Sequence, residues 1–314
     1  MKSKSSLIIL IFLLGVFIAG ILYYQFERAT SLPQSGTLTA WGGDTDGQVS
    51  ETPAGDDFID VGVGFRHSVA LRENGTIEAW GRDGDRQIRD TPEESSFIAV
   101  DAGSNHNIAL REDGSIVQWG WDHNITDDQS IVAGDVPTRD GFKQISAAGN
   151  HNLALHEDGT LEAWGWDLNN QVSHTPEGDD FIMISAGENH NMAMRDDGSI
   201  EAWGNDMLGS IEDTPEDIGF VAIAAGARHS LALREDGSIV AWGWDMRDEV
   251  SDTPADSGFK AISVGYTHSL ALQEDGSIAA WGWERSEEGQ INDKPTDNDY
   301  IRIEAGDFHN IAIK

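Results

Sequence analysis

Seven histidines at matched spacing are the residues here whose type could do chemistry: His67, His106, His151, His190, His229, His268 and His309, each opening a short alternating run. Imidazole is a metal ligand and a proton carrier. Zinc needs its nitrogens about 2.0–2.1 Å from one ion. Equivalent atoms in a closed ring of seven repeats, radius roughly 10–15 Å, lie several times farther apart, so a shared metal site is excluded. The expected role is a hydrogen bond to nearby backbone. Seven Trp-Gly pairs run in register with the histidines, at Trp41, Trp80, Trp119, Trp164, Trp203, Trp242 and Trp281. Their expected role is packing between repeats. Asp44-Thr45-Asp46-Gly47 begins like a calcium loop but has no matching acid at its far end. No Ser/His/Asp order, phosphate-cradling glycine loop or pair of catalytic carboxylates stands apart from the repeat. The expectation is therefore no catalytic residue, no metal and no cofactor.

The elements that must position these residues are short strands. The Trp-Gly pairs recur every 39 residues, with one step of 45. A period near 40 built from several strands marks a propeller blade, because one such unit cannot bury both faces alone. His229–Arg234 alternates polar and apolar residues, and Gly237–Gly243 follows at once, so both are expected strands. Asn-Gly or Asp-Gly turns join such pairs at Gly75, Gly114, Gly159, Gly198, Gly237 and Gly276. Phe181–Ala186 is a third strand, and Gln48-Val49 and Gln171-Val172 mark an expected fourth, short and exposed. His309–Lys314 matches His229–Arg234 and Gly36–Trp41 matches Gly237–Trp242, so the two ends complete one blade, two strands from each. The fold class is all-β: a seven-bladed β-propeller with the last blade closed by both termini, preceded by one N-terminal transmembrane helix.

The run Ala225-Gly226-Ala227-Arg228-His229-Ser230-Leu231-Ala232-Leu233, then Asp236-Gly237, then Ala241-Trp242-Gly243, resembles the repeat of the regulator of chromosome condensation family. The short period brings it closer to bacterial members, the propeller-type β-lactamase inhibitors among them. The resemblance covers residues 36–314 and implies the propeller fold. It implies no single function, since the family includes a nucleotide exchange factor, an enzyme inhibitor and an ultraviolet-B receptor, and function sits on grafted surface residues.

With 55 acidic against 20 basic side chains, the formal charge of −35 repels phosphate backbones, so nucleic acid is excluded as a partner. Such a surface is a solvated one, suited to high salt. No cysteine is present, so disulfides and thiol sites are excluded. Lys2 and Lys4 precede Leu7–Tyr24, an uncharged and mostly apolar stretch that as a helix spans roughly 27 Å, close to the hydrocarbon core. The expected organisation is a cytoplasmic segment 1–6, an uncleaved transmembrane signal anchor 7–24, a linker 25–35 and the propeller 36–314. The localisation is then single-pass membrane, with the propeller extracytoplasmic.

Function is sought where copies depart from the repeat. Strand reversal places the Gly-x-x-His turns and the loops after Trp-Gly on one face, here the upper, and the Asp-Gly hairpins and Thr-Pro loops on the lower. The lower face is uniform and acidic; the upper varies. Trp121, Trp166, Trp244 and Trp283 follow Trp-Gly in four copies, each followed by an acid, Asp122, Asp167, Asp245 or Glu284. Phe65, Arg66, Arg228, Tyr266 and Phe308 occupy the turns before His. An aromatic-acidic rim is the composition of a recognition surface. The expected function is a non-catalytic module binding another protein or a cell-surface ligand; the alternatives are a propeller lyase or hydrolase, or a self-associating cell-surface structural protein. In the resembling inhibitors, aromatic and acidic loop residues on one face likewise grip a target enzyme.

Overall fold

Six hairpin glycines, Gly75, Gly114, Gly159, Gly198, Gly237 and Gly276, hold φ between +78° and +87°, a region closed to most residues carrying a Cβ. At Gly237 a Cβ would also stand 2.4 Å from the Gly258 amide nitrogen. In each turn the preceding Asn or Asp accepts the amide two residues on, as Asp236 Oδ1 does from Ser238 at 2.9 Å. The lower-face acids are therefore turn formers.

The computed structural model describes residues 34–121, 132–133, 135–206, 209–283 and 288–314. The expected anchor over 7–24, segment 1–6 and most of the linker lie outside the described residues, as do Asp122 and Glu284. Ser35–Lys314 forms one unit of seven antiparallel sheets. Each has an inner, a middle and an outer strand, for example Phe58–Val63, His67–Arg72 and Ile77–Gly81. The inner strands pack side by side around an axis, and Phe58–Val63 closes the circle against Arg302–Ala305. In the closing blade Arg302–Ala305 and His309–Ile313 come from the C-terminal end, and Leu38–Gly42 pairs outside them, Leu38 opposite Ile313.

Two expectations are corrected. The N-terminal end supplies one strand to the closing blade, not two. The Gln-Val stretches are turns, and the blades have three strands; only the sheet of Phe142–Ala148, His151–His156 and Leu161–Trp166 has a fourth among the described residues, Val132–Ala133. The cause is the glutamine itself: Gln48 Oε1 takes the Asp46 amide at 2.6 Å and Gln87 Oε1 the Asp85 amide at 2.8 Å, folding the chain back on itself. The buried glutamine then offers its carbonyl to the next blade, where Trp80 Nε1 donates to Gln48 O at 2.8 Å and Trp119 Nε1 to Gln87 O at 2.9 Å.

The middle strands are buried at nearly every position, because blades cover both their faces. Leu231 and Leu233 meet Phe259, Val264 and Trp281 of the following blade, and such clusters repeat around the ring. Each fully buried Leu or Ile contributes about 1.5–3 kcal/mol. The histidines pair between blades through Nε2. His67 Nε2 donates to Asn107 Oδ1 (2.8 Å), His106 to Asn152 (2.7 Å), His151 to Asn191 (2.6 Å) and His268 to Asn310 (2.6 Å). His190 pairs with Ser230 and His229 with Ser269, and His309 with Ser68 closes the circle at 2.7 Å. The imidazoles thus bond side chains of the next blade rather than nearby backbone.

Candidate functional site

The upper face is assembled by one backbone bond repeated seven times. The residue after each Trp-Gly donates its amide to the carbonyl just before the histidine: Trp121 to Asn105, Trp166 to Asn150, Trp244 to Arg228 and Trp283 to Thr267, at 2.8–3.0 Å, with Gly43, Arg82 and Asn205 doing the same. This fixes the variable turn and the variable loop of each blade as neighbours. The two sets singled out by departure from the repeat are brought together in pairs.

At the axis these turns enclose a cavity of about 500 Å³. Phe65, Tyr266, Trp283 and Phe308 form aromatic walls, with Phe65 edge-on to Phe308 at 4.9 Å between ring centroids. Arg82, Glu188 and Asp307 also line it. Arg66 lies over both phenylalanine rings and pairs with Asp46 at 3.3 Å. Arg228 donates to the Tyr266 hydroxyl at 3.2 Å and stacks 5.2 Å from the Trp244 ring centroid. Arg247 covers Trp283 at 3.9 Å.

The expected rim tryptophans are half-buried rather than freely projecting. Trp283 reaches the cavity, while Trp121, Trp166 and Trp244 stand outside its lining. Among the described residues, the large exposed apolar side chains of this face are instead their loop neighbours, Leu168 at 61% and Met246 at 75% exposure. Asp167 and Asp245 hold their loops: each Oδ1 accepts two backbone amides, those of Val172 and Ser173 and those of Val250 and Ser251, at 2.8–3.0 Å. Asp44, Asp83 and Asp206 do the same.

Glu188 and Asp307 were absent from the sequence-derived set. Burial, then the neighbouring Glu188, pushes Asp307 up to about 7. Burial also raises Glu188, against the pull of Arg228. Deeper along the axis, Arg302 pairs with Asp60 at 2.5 Å. Burial and then Asp101 push Glu304 up to about 8. Burial raises Asp101 to about 7 against two backbone amides. One of these is the Ala147 amide, donated across the inner strands to Asp101 Oδ2 at 2.8 Å, as Val100 donates to Asp60 and Ala186 to Ser146. These axial groups brace inner strand to inner strand. The signal was legible: Asp101 and Glu304 are charged where other copies carry serine, alanine or glycine, and Arg302 and Asp60 are charged where other copies carry alanine, glutamine or methionine.

The geometry defines a class: a closed seven-bladed propeller with a conserved-geometry frame carrying variable loops around one axial mouth. Residues 58–87, 220–245 and 259–290 match the Regulator of chromosome condensation (RCC1) repeat. The chain carries RCC1 repeats in these three stretches. Its fold is similar to that of Prp20p from Saccharomyces cerevisiae, studied with its binding to Gsp1p and histones, at 19% identity and TM-score 0.73, covering 90% of this chain and 92% of that one. Human WBSCR16 aligns at 14% identity and TM-score 0.70, over 88% and 98% of the two chains. The ectodomain of the Physcomitrella patens receptor kinase CR4 aligns at 18% and TM-score 0.63, over 80% and 68%. No curated protein matches the chain.

Proposed function

We propose that this propeller is a membrane-anchored, extracytoplasmic module that binds another protein through its upper face and does so without catalysis. The observation that carries the reading is the pairing of seven variable turns with seven variable loops around one open cavity. Exposed Leu168 and Met246 beside Trp166 and Trp244 add apolar surface of the kind that protein interfaces bury. That Prp20p binds proteins and that CR4 carries this fold on a receptor ectodomain supports the mode. The apolar stretch 7–24 behind Lys2 and Lys4 supports the anchor.

One observation favours a second reading. The raised Asp307 beside Glu188 is the kind of perturbed pair that acid–base catalysis uses. Neither carboxylate hydrogen-bonds to a described residue.

The test is capture of a partner from the source envelope with the full chain as bait, followed by binding measurements. Trp166→Ala with Trp244→Ala is expected to abolish binding, since interface anchors cost about 2 kcal/mol or more each. Asp158→Asn with Asp236→Asn on the lower face is expected to leave it intact, because Asn74 already makes the same turn bond. Silent tryptophans with a damaging lower-face change would reverse the assignment of the working face.

A further inference from the structure

We propose that the axial cavity is a receptor for an organic cation, a lysine ammonium or arginine guanidinium, seated between the Glu188 and Asp307 carboxylates and the aromatic walls. The inference rests on the protein-binding reading and deepens it by naming the group that enters the mouth.

Its first support is room. A cavity of about 500 Å³ lies in the range that holds small ligands and exceeds what one long side chain needs. The second is uncompensated charge. Glu188 and Asp307 make no hydrogen bond or ion pair with the described residues, and the cations nearby are engaged elsewhere. Arg228 is spent on Tyr266 and Trp244, and Arg66 on Asp46 and the phenylalanine rings. Arg82 in the wall leaves two carboxylates facing one guanidinium. Burial raises both carboxyls, and the neighbouring Glu188 raises Asp307 further.

A third support is independent of the acids. Gln290 lines the same cavity, is 1% exposed, and its Oε1 has no hydrogen-bond partner among the described residues. Its counterparts Gln48, Gln87 and Gln171 spend that oxygen on the amide two residues back. In Gln290 the amide nitrogen instead donates to Glu288, which leaves an acceptor for an N–H donor. The aromatic walls suit the same guest, since the electron-rich face of a ring attracts a cation. The fold already uses this contact on the same face, with Arg247 over Trp283. A formal charge of −35 draws cations toward the molecule and repels anions.

The test is calorimetric titration of the full chain with four probes: acetyl-Gly-Lys-Gly-amide, its arginine and norleucine counterparts, and butylammonium. The lysine or arginine tripeptide is expected to bind at least tenfold more tightly than the norleucine one. Glu188→Gln with Asp307→Asn is expected to remove that preference while leaving the melting temperature within a few degrees. Butylammonium binding as tightly as the peptide identifies the occupant as a free amine; tighter peptide binding identifies a partner's side chain, and both keep the cation. Equal affinity for norleucine and lysine, or indifference to the carboxylate changes, overturns the proposal. Against a captured partner, loss on Trp166→Ala/Trp244→Ala with retention on Glu188→Gln/Asp307→Asn sinks the cation site alone. Retention with both pairs sinks the working face as well.

Discussion

Acid should unfold this protein through its ring of imidazoles, and the structure sets the size of the effect. Burial holds His67, His151, His190 and His268 at about 4, and His229 and His309 at about 3. A free imidazole titrates near 6.5. Above that pH both states are neutral and the ring's stability is intact. As pH falls below 6.5 the unfolded chain takes up protons that the folded one refuses, so stability drops until the folded values are reached. At pH 5 the penalty is about 2 kcal/mol per histidine, or roughly 12 kcal/mol for six. Asp101, Asp307 and Glu304 have raised values and act in the opposite sense, gaining stability as pH falls from 8 toward 4. At roughly 2 kcal/mol each they offset about half of the loss. The net fall between pH 7 and 5 is then on the order of 4–6 kcal/mol, a large share of a typical 5–15 kcal/mol stability.

Urea unfolding followed by tryptophan fluorescence from pH 8 to 5 measures this, and one variant isolates the cause. His268→Gln leaves buried Asn310 poorly paired and should cost about 1–3 kcal/mol at pH 8. Between pH 6 and 5, however, its stability should fall about 1.4 kcal/mol less per pH unit than that of the parent, because one proton has left the balance. An unchanged slope would show that His268 is not held neutral by the fold, and the reasoning would fail.

Removing residues 309–314 should be far worse than an ordinary terminal trim. It takes away the partner of both neighbouring strands, two fully buried isoleucines and the His309–Ser68 bond, so a large loss of melting temperature or aggregation through exposed edges is expected. An unaltered thermal melt would refute closure by both ends. The acidic surface predicts rising stability in molar potassium chloride as repulsion is screened, checked by melts across a salt series; a monotonic fall would count against it. The full-length chain should fractionate with membranes and be digested by protease only from outside. A soluble form beginning after residue 24 would dismiss the anchor.

Much of the ring was legible because its signals are local. An Asp-Gly turn, an alternating run and a Trp-Gly end each state their own geometry, and seven copies multiply the message. The Gln-Val stretches were misread because residue types that favour strands say nothing of a side chain folding onto its own backbone. The partners of the histidines sit about 40 residues away, beyond any local pattern, although the Asn or Ser that follows each histidine was a usable sign. In the upper face, Phe65, Tyr266, Trp283 and Phe308 were identified and do line one cavity. Asp167 and Asp245 attracted notice as acids beside tryptophans, yet the same position is Asp44, Asp83 and Asp206 elsewhere, which marks a structural clamp. Glu188 and Asp307 drew less notice than the tryptophans because their isolation from partners is visible only in three dimensions.

In six blades the middle strand turns covalently into the outer one, and Arg72 there donates its amide to Thr76 while Phe97 donates to Gly75. At the seventh position Lys314 donates to Thr37 and Phe58 to Gly36, with no peptide link between the two strands. The hydrogen bonds are those of a hairpin, and the turn alone is missing. The seam is therefore a property of the gene rather than of the ring. A reading frame could open at any of the other six turns, with Lys314 joined to Gly36, and encode the same contacts in rotated order. Blades held by such interchangeable joints leave each loop free to vary on its own without disturbing the frame.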